Sequence, residues 1–280
     1  MARGNVVVTG ASTGIGEATA LRLAGEGFDV FAGVRKASDG ERLRGAGVRP
    51  LIVDVTDEAA IAAAADEVAA ATGGAGVQGL VNNAGIAVSG PLEYVPVDEW
   101  RRQLEVNLIG QVAVIQRFLP LVRAGHGRIV NVSSIGGRIA LPLAGPYAAS
   151  KFALEAISDT LRRETRGQGI DVCLIEPGGV KTPIWDKGLS EADALEAAMP
   201  AEGEALYGKL IAAMRREVTR IATDTGIEPD EVAAKIVDAL TARRPKTRYL
   251  VGRDAKTRWA AAKRLSDRTL DALIARTLKP

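Results

Sequence analysis

Short β-branched runs alternate with longer helical stretches along this chain, and no other feature limits its fold as much. The runs at residues 6–9, 30–33, 51–54, 80–82, 129–133, 172–175 and 249–251 are apolar almost without a break. A strand with one wet face alternates apolar and polar residues, whereas a strand covered on both faces does not. Helical patterns lie between them at residues 14–26, 58–71, 99–121, 148–165 and 229–242. This alternation predicts an α/β fold: one parallel sheet of seven strands with helices on both faces. The length of 280 residues, with no internal repeat and no Pro/Gly/Ser-rich linker, suits one domain over residues 1–280. Two segments break the rhythm, residues 181–221 and residues 253–280. Such sheets bind ligands beyond the C-terminal ends of their strands, so the first segment is expected to be a substrate lid. The second is a C-terminal extension.

Composition narrows the function by exclusion. Net charge is +2, so neither a nucleic-acid nor a membrane surface is expected. The basic residues between Arg243 and Arg268 are interrupted by Asp254 and Asp267 and read as a solvated surface. The one cysteine, Cys173, sits in the apolar run "IDVCLIEP" and reads as a buried structural thiol in a reducing compartment. With a single histidine, His126, a zinc site or a Ser/His/Asp triad lacks its members. No apolar stretch reaches the ~18 residues of a membrane span. The strand-like run from Asn5 leaves no room for a signal peptide. These features predict a cytoplasmic protein without a metal.

The first strand runs straight into "TGASTGIG" at residues 9–16 and then into a helical pattern. Gly10, Gly14 and Gly16 supply a tight turn, close backbone approach to a ligand, and close helix–strand packing. Ser12, Thr13 and Ile15 complete the turn. The following helix aims free N–H groups and partial positive charge at it, an anion site suited to a pyrophosphate. An ordinary strand-to-helix turn is the plain alternative; the G-x-x-x-G-x-G spacing directly after a strand argues against it. The end of the second strand selects the nucleotide. A carboxylate there suits the ribose hydroxyl of NAD, and an arginine suits the 2′-phosphate of NADP. The strand reads "DVFAGVRK", with Val34 where the acid would stand and Arg35 and Lys36 after it. NADP(H) is therefore favoured over NAD(H), unless both cations are solvated loop residues. Ser12 offers the same phosphate a donor. Asp54, followed by Val55, ends the third strand where it would meet the adenine.

In "GPYAASKFALE", residues 145–155, Tyr147 and Lys151 stand one helical turn apart on one face. Moving a hydride to or from a carbonyl also moves a proton. A free phenol has a pKa near ~10, too high for a base at neutral pH. A nearby ammonium and an oxidised nicotinamide ring are each expected to lower it. Lys151 can also hold the nicotinamide ribose with its three donors. Ala148 and Ala149 are small enough for a cofactor to lie against the helix. The spacing alone arises by chance in many helices and gains weight from the nucleotide turn.

Taken in order, these stretches resemble the classical short-chain dehydrogenase/reductase family. The matches are "TGASTGIG" at residues 9–16, "NNAG" at 82–85, Asn107 in "EVNLIG", Ser134 in "NVSSIGG", "YAASK" at 147–151 and "EPGGV" at 176–180. The resemblance implies a single Rossmann domain and an NAD(P)-dependent oxidoreductase whose catalytic residues are Asn107, Ser134, Tyr147 and Lys151. Ser133 and Ser134 face opposite ways on a strand. The family's serine lies thirteen residues before its tyrosine, which selects Ser134. The implied roles are acid/base for Tyr147, a bond to the substrate oxygen for Ser134, and tuning of Tyr147 for Lys151. Asn107 is expected to hold a water linking Lys151 to solvent, with a helix kink as its alternative role. Asn83 is expected to anchor the sheet interior, while Ala84 and Gly85 admit the adenosine ribose. Pro177, Gly178 and Val180 are expected along the nicotinamide, and Thr182 at the phosphates or carboxamide. Family members usually pair through the helices at residues 99–121 and 148–165, so a homodimer or homotetramer is expected.

Beyond "EPGGV" the chain carries Trp185, Leu189, Leu195, Met199, Tyr207 and Leu210. An apolar lid suits a hydrophobic alcohol or ketone, and "VFAGVRK" and "EPGGVKTPIW" are similar to the steroid- and retinoid-metabolising branch. A small polar hydroxy/keto substrate is the alternative. So is an NADP(H)-binding sensor or scaffold without turnover, which would usually have lost Tyr147 or Lys151. An epimerase or dehydratase of the extended branch fits neither the glycine turn nor the compact length.

Overall fold

Strands that are apolar throughout need cover on both faces, and the computed structural model, which describes residues 3–278, supplies it. The strands are β1 (Asn5–Val8), β2 (Asp29–Val34), β3 (Arg49–Ile52), β4 (Gly79–Asn82), β5 (Arg128–Val132), β6 (Asp171–Pro177) and β7 (Arg248–Val251). All pair in parallel, in the order β3-β2-β1-β4-β5-β6-β7. The first six helices are α1 (Gly14–Gly25), α2 (Ala37–Arg44), α3 (Glu58–Thr72), α4 (Val97–Leu104), α5 (Gly110–Ala124) and α6 (Gly145–Glu164). They are followed by α7 (Ile184–Ala197), α8 (Ala201–Arg220), α9 (Pro229–Thr241), α10 (Arg253–Ala262) and α11 (Asp267–Thr277). The result is one Rossmann-like α/β domain.

Alternate strand residues serve opposite layers. Val6, Val8, Val30, Ala32, Val81, Val130 and Ile175 pack with Ala20 and Leu23 of α1 and Val232 and Ile236 of α9. Val7, Phe31, Leu80, Ile129 and Val172 pack with Ile61 and Val68 of α3 and Val114 and Phe118 of α5. Each large apolar side chain buried this way contributes about 1.5–3 kcal/mol. Local signals set the helix ends. Asp57 caps α3 through the N–H groups of Ala59 and Ala60, at 2.9 and 3.1 Å. Glu228 and Glu231 form a reciprocal capping box on α9, and Pro229 opens that helix.

The structure departs from the sequence expectation at several points. The third strand starts at Arg49 and ends at Ile52 rather than spanning residues 51–54. Helix α2 was not foreseen because Leu43 is its one fully buried apolar side chain. The helix expected at residues 99–121 is two helices joined by a π turn, Glu105–Ile109. Gly110 then passes so close to the Val55 carbonyl that a Cβ would overlap it. Inside the sheet, Asn82 takes the anchoring place expected of Asn83. Its Nδ2 donates to Asn131 Oδ1 at 2.9 Å, and Asn131 Nδ2 donates to Ser158 Oγ of α6 at 2.8 Å.

Because β1 lies between β2 and β4, the winding reverses beside it, and a crevice opens beyond the carboxyl ends of the strands there. Among the described residues, no helix is long and apolar enough to cross a membrane. Cys173 lies in β6 with 1% of its surface exposed, and burial pushes its thiol up to about 12.

Candidate active site

The loops leaving β1, β4, β5 and β6 enclose a cavity of about 480 Å³. Gly10, Ser12, Thr13, Gly14, Ile15, Arg35, Asp54, Val55, Asn83, Ala84 and Gly85 line it. Asn107, Ser134, Tyr147, Lys151, Pro177, Gly178, Val180 and Thr182 line the same cavity. Gly16 alone of the catalytic and cofactor-binding residues expected from the sequence does not. It faces the protein, where a Cβ would overlap the Gly10 carbonyl and the Asn83 amide. Its part is to let α1 close on the turn.

The glycine turn is braced from β4. Gly10 and Gly14 sit at φ +64° and +61°, where a side chain would be strained. Asn83 Nδ2 donates to the carbonyls of Thr9 and Gly10 at 3.1 and 3.0 Å. Thr9 Oγ1 accepts the N–H groups of Asn83 and Ala84 at 3.0 and 3.2 Å. No side chain caps α1, so its first N–H groups point unmet at the turn. Arg35 is exposed and has no ion-pair partner among the described residues. Arg42 of α2, which sequence reasoning missed, donates to the Ser12 carbonyl at 2.6 Å and pairs with Glu17. Asp54 Oδ1 accepts the N–H and hydroxyl of Thr56 at 3.0 and 2.8 Å.

Helix α6 opens with Pro146 in its first turn and carries Tyr147 and Lys151 on the face toward β5. Lys151 is 5% exposed, and its Nζ donates to the Val132 carbonyl at 2.8 Å. Burial pushes this ammonium down to about 8, with Glu155 one turn on opposing the shift. Lys151 Nζ lies 5.8 Å from the centre of the half-buried Tyr147 ring. Burial raises the Tyr147 phenol above its usual 10.0, and the Ser134 hydroxyl works against that. In the protein alone burial dominates the Tyr147 phenol, while the Lys151 ammonium is turned to Val132 and is itself disfavoured by burial. Ser134 Oγ accepts the Gly136 N–H at 2.9 Å, which leaves its own proton to donate. The neighbouring Ser133 Oγ is buried without a partner among the described residues.

Asn107 is fully buried in the π turn. Its Oδ1 accepts the Ile86 N–H at 2.9 Å, and its Nδ2 donates to the Ile86 carbonyl and Ser150 Oγ at 3.0 and 3.2 Å. Both amide protons are thus committed to the protein.

The far part of the cavity is mostly apolar, lined by Trp185, Leu189, Leu195, Met199, Met214 and Ile274, with Lys187, Glu196, Arg215, Glu217 and Arg258 as its charged members. Of the other lid residues named from the sequence, Tyr207 instead donates to Glu93 at 2.9 Å. Leu210 lines an adjoining cavity that shares Leu141, Pro142, Ile274 and Leu278 with this one. The C-terminal extension also reaches the site through Arg258, Leu270 and Leu273, which no sequence signal marked.

These donors suit a nicotinamide dinucleotide: an uncapped helix N-terminus and an unpaired guanidinium for phosphates, and an ammonium with spare protons for ribose hydroxyls. Such a sheet, with that turn at its switch point and a tyrosine, lysine and serine beside it, defines a nicotinamide-dependent oxidoreductase. The sequence profile described as short chain dehydrogenase matches residues 4–193. An NADPH-dependent 3-dehydrocapnine reductase of Ornithobacterium rhinotracheale is 37% identical over 98% of this chain and 96% of its own. Retinol dehydrogenase 5 of Mus musculus is 36% identical over 96% of this chain and 87% of its own. A short chain dehydrogenase of Burkholderia cenocepacia, solved with NADP, superposes with a TM-score of 0.75 at 26% identity, covering 100% and 99% of the two chains. A Burkholderia phymatum short chain dehydrogenase/reductase, solved with NAD, gives 0.77 at 27% identity, covering 96% and 94%. The chain belongs to the short-chain dehydrogenase/reductase family and is an NAD(P)-dependent enzyme of it.

The buried lysine makes stability depend on pH. Folded protein releases the Lys151 proton near 8 and the unfolded chain near 10.5. Between those values the unfolded chain binds more protons, so this group's contribution to stability rises with pH, by at most about 1.4 kcal/mol per unit. Below 8 the contribution is constant at its lowest level. Urea unfolding of wild type and Lys151→Met across this range should show their stability difference moving in favour of wild type as pH rises.

Proposed function

We propose that the protein interconverts a carbonyl and a secondary or primary alcohol with NADP(H), on a hydrophobic steroid-, retinoid- or lipid-like substrate. The observation that carries this reading is that Ser134, Tyr147 and Lys151 share one cavity with the glycine turn at one end and an apolar chamber at the other. NADP(H) is preferred because Arg35 lines the coenzyme end and no carboxylate ends β2. The relative from Ornithobacterium rhinotracheale is named NADPH-dependent, while the solved structures include both NADP and NAD, so the choice rests on Arg35.

The bound nicotinamide supplies or takes up the hydride. In reduction, Tyr147 Oη gives its proton to the substrate oxygen. Burial holds that proton on the phenol at neutral pH, so the residue stands ready as an acid. Ser134 donates to the same oxygen and steadies the charge that develops on it. Lys151 lies beside the ring, where its charge favours the phenolate left behind. Its spare donors suit the ribose hydroxyls. Asn107 acts by position: it pins Ile86 and joins α4 to α5. Residues 177–180 and Thr182 border the nicotinamide. Residues 181–221 form the lid, held to the body by Arg102 and Glu191 at 2.6 Å. Ile109 and Phe152, 51% and 44% exposed, support pairing into a homodimer or homotetramer.

Tyr147→Phe should lower turnover of lipophilic ketones by about 10³-fold and leave the NADPH dissociation constant within about threefold. Full activity in that variant, or uniformly poor turnover of lipophilic ketones beside good turnover of small polar ones, would contradict the reading. Arg35→Ala should weaken NADPH binding by about tenfold while leaving NADH unaffected, as read by nicotinamide fluorescence.

A further inference from the structure

The tail after β7 does more than cover the surface. Gly252 turns the chain at φ +96° into α10, which aims the start of that helix back at the end of β6. Asp254, which in the sequence only interrupts a basic stretch, reaches inward. Its Oδ2 accepts the Gly179 N–H at 2.9 Å. Its carboxylate lies so close to Gly178 that a Cβ there would overlap it. The opposite edge of the same loop is held by backbone bonds and by Trp185, whose Nε1 donates to the Val180 carbonyl at 2.6 Å. Ile227 N–H donates to the Gly179 carbonyl and Lys181 N–H to the Ile227 carbonyl, both at 3.0 Å. Gly178 N–H donates to the Val251 carbonyl at 2.9 Å. The helices beyond Asp254 continue into the cavity wall through Arg258, Leu270, Leu273 and Ile274. Trp259 of α10 lies against the Arg138 guanidinium at 4.8 Å, just after the turn that Ser134 caps.

We propose, building on the coenzyme site proposed above, that Asp254 is a positioning residue: its carboxylate fixes residues 177–180 at the nicotinamide end and ties them to the helices lining the substrate chamber. Two glycines in a row make that loop costly to order, and a side-chain acceptor on the Gly179 N–H restricts it directly. An acid in the first turn of α10 also suits the helix dipole, which would be a purely structural use. The two uses separate by ligand. NADPH spans the whole site, whereas adenosine 2′,5′-bisphosphate reaches only the end formed by the glycine turn and Arg35.

The test measures amide hydrogen exchange at residues 177–181 and the dissociation constants of both ligands, in wild type, Asp254→Ala and Asp254→Asn. Loss of one hydrogen bond to a charged group corresponds to about a tenfold change. Asp254→Ala should therefore speed exchange at Gly179 and weaken NADPH by about that factor, with the bisphosphate within about twofold. Asp254→Asn keeps an acceptor oxygen and should return both quantities to within about threefold of wild type. Equal weakening of both ligands, unchanged exchange at Gly179, or faster exchange with unchanged NADPH binding would each overturn the proposal. Should Asp254→Ala not fold, Asp254→Ser shortens the same side chain and must give the same split between ligands. A wild-type protein that binds neither ligand would sink the coenzyme reading, and exchange at Gly179 would still decide the Asp254 contact.

Discussion

The ammonium of Lys151 on the carbonyl of Val132 joins the helix that carries the chemistry to the strand that ends beneath it. The bond lies in the interior, where a charge is costly to hold unless it is hydrogen-bonded. That cost brings the lysine down to about 8, and the same shielding from water raises the phenol one turn away. Tyr147 and Lys151 are thus both moved toward their neutral forms. Glu155 works against this for the lysine, and it is in turn gripped by Arg248 at 3.0 Å. A proton is held where it can be given to a substrate oxygen, and the lysine beside it lies nearer neutrality than its ordinary value of 10.5 would place it.

Around this pair, each loop of the site is fastened by a side chain to a distant backbone group. Asn83 holds Gly10, Asn107 holds Ile86, and Asp254 holds Gly179. Each such bond has a net worth of about 1 kcal/mol, but leaving its buried partner unmet costs about 1–3 kcal/mol. The sheet accounts for why the loops meet at all. Reversal of the winding at β1 splays the neighbouring connections apart, and the glycine turn and the "NNAG" stretch border the gap.

Much of this could be read from the residues. Strands buried on both faces announce themselves by unbroken apolar runs, and the glycine turn, Tyr147, Lys151 and Ser134 by spacing and order. What stayed hidden depended on packing. Asn82 ends β4 and Asn83 follows it, and sequence does not say which faces the sheet. Gly16 matches the motif but faces the protein. A π turn in a long helical pattern keeps the apolar rhythm nearly intact, so only the kink weighed as an alternative role for Asn107 hinted at the break there. Arg42, Asp254 and the apolar residues of α10 and α11 lie far along the chain from what they touch. In the protein alone burial sets the direction of the phenol shift, and proximity to a lysine in the sequence does not convey burial.

The most direct measurement is an NMR titration of the Tyr147 ring with isotope-labelled tyrosine, assigned by comparison with Tyr147→Phe. The predicted result is a phenol that stays protonated beyond pH 10 in the protein alone and loses its proton at lower pH once oxidised coenzyme is added. A phenol that already ionises below 10 in the protein alone, or one that oxidised coenzyme leaves unmoved, would contradict it.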